Sequence, residues 1–248
     1  MCGIVGYIGG QKASPILLSG LMKLEYRGYD SAGIATLEDG TPTVVKNTGR
    51  VRNLYQDPQL DALTGTVGIA HTRWATHGEP SDINSHPHST PRVSIVHNGI
   101  IENYGPLKAD LLAKGVTFES ETDTEVLVKL IDYFCCAQPK QSPLAALREA
   151  LAMVRGSYAL GVLFRDEPDT IYAVKKESPL IVGWGEGENF VASDIPALLK
   201  YTRRYSVLEE GDMAVVKADG IRFYDAFGKP VEREVLTADW DEEACLLY

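Results

Sequence analysis

Between Ser157 and Tyr224 the chain carries seven short apolar runs: Ser157–Phe164, Thr170–Val174, Leu180–Val182, Phe190–Ala192, Arg204–Val207, Met213–Val216 and Ile221–Tyr224. A parallel neighbour needs a crossover of a dozen or more residues, whereas an antiparallel neighbour needs only a tight turn. The short spacers, among them Gly185-Glu186-Gly187-Glu188, therefore fold this stretch back on itself as hairpins. Upstream, Gly3–Ile8, Ser31–Leu37, Thr43–Asn47, Val67–Thr72 and Val93–His97 read as further strands, the second and third joined at Asp39-Gly40. Ser14–Leu24, Pro106–Ala113, Thr124–Cys136 and Pro143–Val154 read as helices, the third opened by a Thr122/Glu125 capping box. Hairpins together with a cluster of helices predict an α+β fold with layered antiparallel sheets, not βαβ winding. At 248 residues and 44% hydrophobic composition, one large domain or two small ones can be supported.

Charge narrows the partners. The net charge is -10, and the Lys and Arg residues are scattered, so no basic face is available to neutralise phosphates. Nucleic acid and anionic membrane are not expected as partners. No apolar run approaches the roughly 20 residues that span a bilayer, and no charged segment followed by an apolar one marks the N-terminus, so the expected location is the cytoplasm. The four cysteines, Cys2, Cys135, Cys136 and Cys245, include an adjacent pair and make no disulfide framework.

Cys2 has a chemical option that no internal cysteine has. Once Met1 is removed, one residue carries both a thiol and a free α-amine. The reference pKa of that amine, about 7.7–8.0, suits it to take the thiol proton directly or through one water. Nucleophile and base then come as a unit, as in threonine nucleophiles paired with their own terminal amine. By position alone, an ordinary small residue at the start of a strand is the better reading of Cys2.

The remaining chemistry concentrates between His71 and Asp123. All five histidines, His71, His77, His86, His88 and His97, surround the long polar stretch from Trp74 to Pro91, which has too few apolar residues for a core element. Loops of this length are usually functional or disordered. A metal site is one reading of His86-Pro87-His88, but no HExxH or CxxC companion accompanies it; no metal and no cofactor are expected. The other reading is a substrate-binding lid. Arg73 would grip a carboxylate bidentately and Trp74 would cover it, against the alternatives of a solvated arginine and a core aromatic. Asn98-Gly99 between apolar residues is a strong hairpin signal, and a type I′ turn is the expected local structure. A side-chain amide from Asn98 and a backbone N–H from Gly99 would also make a two-donor oxyanion hole. Asp123 opens a helix, where any carboxylate is stabilised; its functional use is to receive an ammonium. A thiol with its own base, a cation, an anion and oxyanion donors together suit an amino acid bearing a side-chain amide, and L-glutamine fits.

The segments Cys2–Gly6, Glu25–Gly33, His71–Pro80, His97–Asn103 and Ser120–Glu125 are similar to the class II, N-terminal-nucleophile glutamine amidotransferase domain of glutamine–fructose-6-phosphate aminotransferases, also called glucosamine-6-phosphate synthases. The likeness continues through Ser178–Leu180, Gly187–Phe190, Ala192–Asp194 and Glu209–Asp212, nearly the whole chain. The resemblance implies an αββα sandwich, two antiparallel sheets between helix layers, that hydrolyses glutamine to glutamate and ammonia. It implies Cys2 as nucleophile, Asn98 and Gly99 as the oxyanion hole, and Arg73 and Asp123 on the glutamine α-carboxylate and α-ammonium. Thr76 and His77 would line the pocket, Trp74 and His86 would lie at the closing loop, and Arg27 would orient the first strand.

On this basis residues 1–237 form the amidotransferase domain and 238–248 begin a linker towards a missing sugar-isomerase half that binds fructose 6-phosphate. A homodimer is left open as the assembly. A truncated or isolated domain is the expected state, since Cys245-Leu246-Leu247-Tyr248 is unlike the family's polar linker. The alternatives are a non-catalytic domain that senses glutamine and the glutaminase domain of another class II amidotransferase.

Overall fold

The computed structural model describes residues 2–75, 78–137 and 142–239. In Gly3–Ile8 both faces are apolar: Ile4 and Ile8 alternate with Val5 and Tyr7, and all four are buried. Such a strand needs a packed layer on each side, and the fold provides both.

The strands in chain order are β1 (Gly3–Ile8), β2 (Ser31–Glu38), β3 (Thr41–Thr48), β4 (Val67–Arg73), β5 (His88–Ser89), β6 (Val93–Ile101) and β7 (Gly156–Phe164). They continue as β8 (Ile171–Lys176), β9 (Ile181–Trp184), β10 (Asn189–Ala192), β11 (Arg204–Val207), β12 (Met213–Lys217), β13 (Gly220–Tyr224), β14 (Pro230–Val231) and β15 (Leu236–Thr237). The helices are α1 (Ala13–Leu24), α2 (Val51–Tyr55), α3 (Tyr104–Ala113), α4 (Asp123–Ala137) and α5 (Pro143–Ala152). One sheet runs β15-β11-β9-β10-β1-β4-β2-β3 and the other β14-β13-β12-β8-β7-β6-β5. The pairings in both are antiparallel.

Ile4, Ile69 and Val191 of the first sheet meet Val96, Ala159 and Ile171 of the second in the central core. The opposite face of the first sheet, with Val5, Tyr7 and Ala70, packs on Leu17, Leu21 and Leu24 of α1. The outer face of the second sheet, with Leu160 and Val162, packs on Leu111, Val126, Ile131 and Leu147 of α3, α4 and α5. The layers are thus α, β, β, α, as expected. Pro15 sits in the first turn of α1, where its missing N–H costs nothing. Among the described residues no helix is long and apolar enough to cross a membrane. The linker expected over 238–248 lies, from residue 240 on, outside the described residues, as does Cys245.

Three expectations are corrected. Asn98-Gly99 is not a turn: β6 runs through it to Ile101, with Asn98 opposite Ala159 and Gly99 opposite Tyr158. The extended ladder with β7 outweighs the local turn preference. Gly99 has φ +123°, and a Cβ there would lie 2.2 Å from the Ser157 carbonyl oxygen, so the pair marks a strand distortion that only glycine can occupy. The capping box is half formed. The Thr122 hydroxyl accepts from the Glu125 N–H at 3.1 Å, but the Glu125 carboxylate turns to the N–H groups of Glu119 and Ser120 instead of that of Thr122. Thirdly, much of the polar stretch after Trp74 is interior: Asn84, Ser85, His86 and His88 are buried while Ile83 is 58% exposed.

Leu21 is fully buried between α1 and the first sheet. Leu21→Ala should therefore cost about 2–5 kcal/mol, measured as a lowered urea midpoint with the denaturant slope unchanged.

Candidate active site

Antiparallel pairing of Gly3 with Thr72 sets Cys2 beside the end of β4. The Trp74 N–H donates to Cys2 Sγ at 3.1 Å, and the thiol lies 3.5 Å from the Trp74 carbonyl. Burial pushes the Cys2 thiol up, opposed by that Trp74 N–H bond. Burial thus makes this thiol hold its proton more tightly than an exposed one.

The other edge of β1 is tied to the loop after β10. The Ser193 hydroxyl accepts from the Ile4 N–H at 2.9 Å, and Arg27 Nη1 donates to the Ser193 carbonyl at 3.2 Å and the Asp194 carboxylate at 3.0 Å. Residues 25–31 also brace the 73–75 segment. Gly28 packs so closely that a Cβ would lie 2.8 Å from the Arg73 carbonyl. The Asp30 N–H donates to that carbonyl at 3.1 Å, the Asp30 carboxylate accepts from the Ala75 N–H, and the Tyr29 ring meets the Trp74 indole edge-on at 5.5 Å.

A cavity of about 320 Å³ opens against these groups, lined by Cys2, Arg27, Arg73, Trp74, His86, His97, Asn98, Gly99 and Asp123, with Ile100, Thr122, Thr124, Ser157, Ser178 and Pro179. Every expected site residue that is described borders it; Thr76 and His77 lie outside the described residues. Arg73 is 3% exposed, so it is not a solvated arginine; Nη2 donates to the Gly78 carbonyl at 3.1 Å. Trp74 is 50% exposed, so it is not a core aromatic. Asp123 begins α4, and its Oδ2 accepts from the Ile101 N–H at 2.8 Å. A buried cation and a buried anion thus border one cavity. Two wall residues, Ser178 and Pro179, carry no chemical signature of their own. They follow Glu177, whose positive φ of 65° turns the chain after β8.

His86 and His97 in this wall, and His71 and His88 behind it, are buried. The His71 and His86 rings stack at 4.1 Å, and His88 meets His86 edge-on at 5.1 Å. Burial depresses these three, His71 to about 3 and the other two well below the usual imidazole value. Neutral rings stack without repulsion. His86 Nδ1 accepts from the His97 N–H at 3.3 Å, His88 Nε2 meets the Thr122 hydroxyl at 3.1 Å and His97 Nδ1 the Thr124 hydroxyl at 2.9 Å. Among the described residues no three His, Cys, Asp or Glu side chains converge as metal ligands. The histidines act instead as a polar wall, with His71 Nε2, His86 Nδ1, His88 Nε2 and His97 Nδ1 held by backbone, amide and hydroxyl partners.

A glutamine amidotransferase domain family model matches residues 71–200 of the chain. Glutamine–fructose-6-phosphate aminotransferase (isomerizing) of Caldanaerobacter subterraneus subsp. tengcongensis is 54% identical over 98% of this chain and 40% of that protein. The Thermus thermophilus protein of the same name is 51% identical over the same shares. The chain thus spans about 40% of the length of these relatives. Glutamine phosphoribosylpyrophosphate amidotransferase from B. subtilis, solved with ADP and GMP, superposes with a TM-score of 0.78 at 26% identity, covering 91% of this chain and 49% of that one.

The histidine wall makes stability depend on pH. The folded-state values lie below the unfolded value of about 6.5, so the unfolded chain binds protons first on acidification. Stability is full above about pH 6.5 and falls as pH drops towards the depressed values, by up to about 1.4 kcal/mol per pH unit for each such histidine. Urea midpoints should drop between about pH 7 and pH 5, less steeply in His86→Phe, which keeps the stack and removes one titrating ring. An identical slope in the variant would exclude His86 from this linkage.

Proposed function

The chain belongs to the glutamine amidotransferase family, and from that premise we propose that it hydrolyses L-glutamine with Cys2 as nucleophile, releasing glutamate and ammonia. The observation that carries the reading is the meeting of a thiol, a primary amide, a buried arginine and a buried aspartate at one cavity. Arg73 binds the α-carboxylate and Asp123 the α-ammonium, which selects a free amino acid and fixes where its side-chain amide reaches. Trp74 covers the site and His86 lines it; Thr76 and His77, outside the described residues, are assigned to glutamine binding on the resemblance alone.

In the reaction Cys2 Sγ bonds to the amide carbon while its proton passes to the Cys2 α-amine, freed by removal of Met1. Asn98 Nδ2 and the Gly99 N–H receive the developing oxyanion. The ammonium returns the proton to the departing nitrogen, ammonia leaves, and water cleaves the thioester to glutamate. The ring-nitrogen partners of His71 and His97 support the amine over an imidazole as base. We propose further that, in a longer protein like its relatives, a sugar-isomerase half uses this ammonia to convert fructose 6-phosphate to glucosamine 6-phosphate.

The test is ammonia release from glutamine by protein whose N-terminus is defined by intact mass. Processed protein should turn over and be labelled at Cys2 by an electrophilic glutamine analogue, and Cys2→Ala should be inert. Retaining Met1 moves the free amine roughly 3.8 Å away; that form should be folded and nearly inactive, and full activity in it would sink the amine mechanism. Arg73→Ala should raise KM by more than about tenfold, the worth of a charge-assisted bond. An unchanged KM would remove Arg73 from the site.

A further inference from the structure

The Asn98 side chain is strung between the two sheets. Nδ2 donates to the Cys2 carbonyl at 3.0 Å, and Oδ1 lies 3.0 Å from His71 Nε2. His71 stands on β4 in the first sheet and reaches β6 in the second, where Nε2 is also 3.0 Å from the His97 carbonyl. A carbonyl can only accept, so that contact requires the proton on Nε2. Nε2–H then faces two acceptors, and Asn98 must present its oxygen to it. A flipped amide would turn an NH2 against a donor and an oxygen against the Cys2 carbonyl. The tautomer is consistent at the far nitrogen too: His71 Nδ1 is left as a lone pair with no hydrogen-bond partner among the described residues. His86 holds the ring plane from behind, stacked at 4.1 Å, while taking the His97 N–H on its own Nδ1. Both polar groups of His97 are thus read by imidazoles, since β5 pairs with β6 only at Ser94 and Ile95. His71 is 1% exposed, and burial keeps it neutral.

We propose that His71 is a positioning residue: its Nε2–H, fixed by the His97 carbonyl, holds the Asn98 amide so that Nδ2 faces Cys2 and the oxyanion that forms there. This rests on the reading of Asn98 as an oxyanion donor. One Nδ2 hydrogen is committed to the Cys2 carbonyl, and the second is directed by the same constraint. Without the donor on Nε2 the amide rotates between two orientations, and only one of them offers a hydrogen to the oxyanion. The loss falls on turnover and spares glutamine binding, which depends on Arg73 and Asp123.

His71→Gln and His71→Met test this as a matched pair of similar length, one with an N–H donor and one without. Each is assayed for kcat, KM and thermal midpoint in protein with Met1 removed. Removing an oxyanion donor typically lowers kcat about 10²–10³-fold; His71→Met should approach a hundredfold loss with KM within about threefold, and His71→Gln should recover most of the rate. Asn98→Ala and the double variant His71→Met/Asn98→Ala complete the cycle, and the double variant should be no slower than Asn98→Ala alone. Equal loss in the Gln and Met variants, additive losses in the cycle, or failure of both His71 variants to fold would overturn the proposal and leave His71 a structural residue. If Asn98→Ala itself keeps its kcat, the oxyanion reading fails first and the positioning role falls with it. If Asn98→Ala is slow while His71→Met is not, only the positioning role is lost.

Discussion

The site depends on the fixation of β1 from every side. Both faces of that strand are covered, and both of its edges are hydrogen-bonded, to β4 and to β10. Residues near a chain terminus are normally among the least ordered of a domain. Here the residue before β1 inherits the precision of a central strand, because Gly3 is held opposite Thr72 and Ile4 is bonded to Ser193. Arg27 extends that fixation by tying Ser193 and Asp194 to the segment that braces Trp74. Cys2 and the segment at Trp74 above it are thus referenced to one rigid frame.

The wall opposite Cys2 is a buried polar network. Such networks stabilise a structure only when their members are nearly all satisfied, and here the chain between Ser81 and Thr90 turns its polar groups inward. Lys46 reaches under it to the Ser85 carbonyl at 2.9 Å, and the Asn84 side chain bonds the Glu79 carbonyl at 2.9 Å. The result is a cavity bordered by Arg73, Asp123 and the Asp194-paired Arg27, backed by His71, His86 and His88, which burial keeps neutral.

Much of the architecture was legible from local pattern. Alternation in Gly3–Ile8 and the hairpin spacing after Ser157 encode the strands directly, and the apolar spacing of Leu17, Leu21 and Leu24 encodes the α1 face. What local pattern misjudged were places where tertiary contact decides. Asn98-Gly99 has the composition of a turn, but pairing with β7 keeps it in the ladder. The stretch after Trp74 has the composition of an exposed loop, and its burial follows from hydrogen-bond partners distant in sequence. The chemistry-bearing residues Cys2, Arg73, Asn98 and Asp123 were readable as types in a motif. The contributions of Asp30 and Ser193 were not, because each acts through a neighbour that only the fold supplies, and Ser178 reaches the cavity wall only through the turn after β8.

The ladder-bound Asn98-Gly99 pair also bears on how the protein ages. An asparagine followed by glycine is prone to cyclise when the glycine nitrogen swings onto the side-chain carbonyl carbon, expelling ammonia and leaving a succinimide. That closure requires the side chain to rotate freely about its own backbone. Here the amide is held at its nitrogen by the Cys2 carbonyl and at its oxygen by His71, while the backbone is drawn out along β6. The two bonds that fix the amide also hold it away from its own backbone, so its orientation and its resistance to cyclisation come from the same geometry.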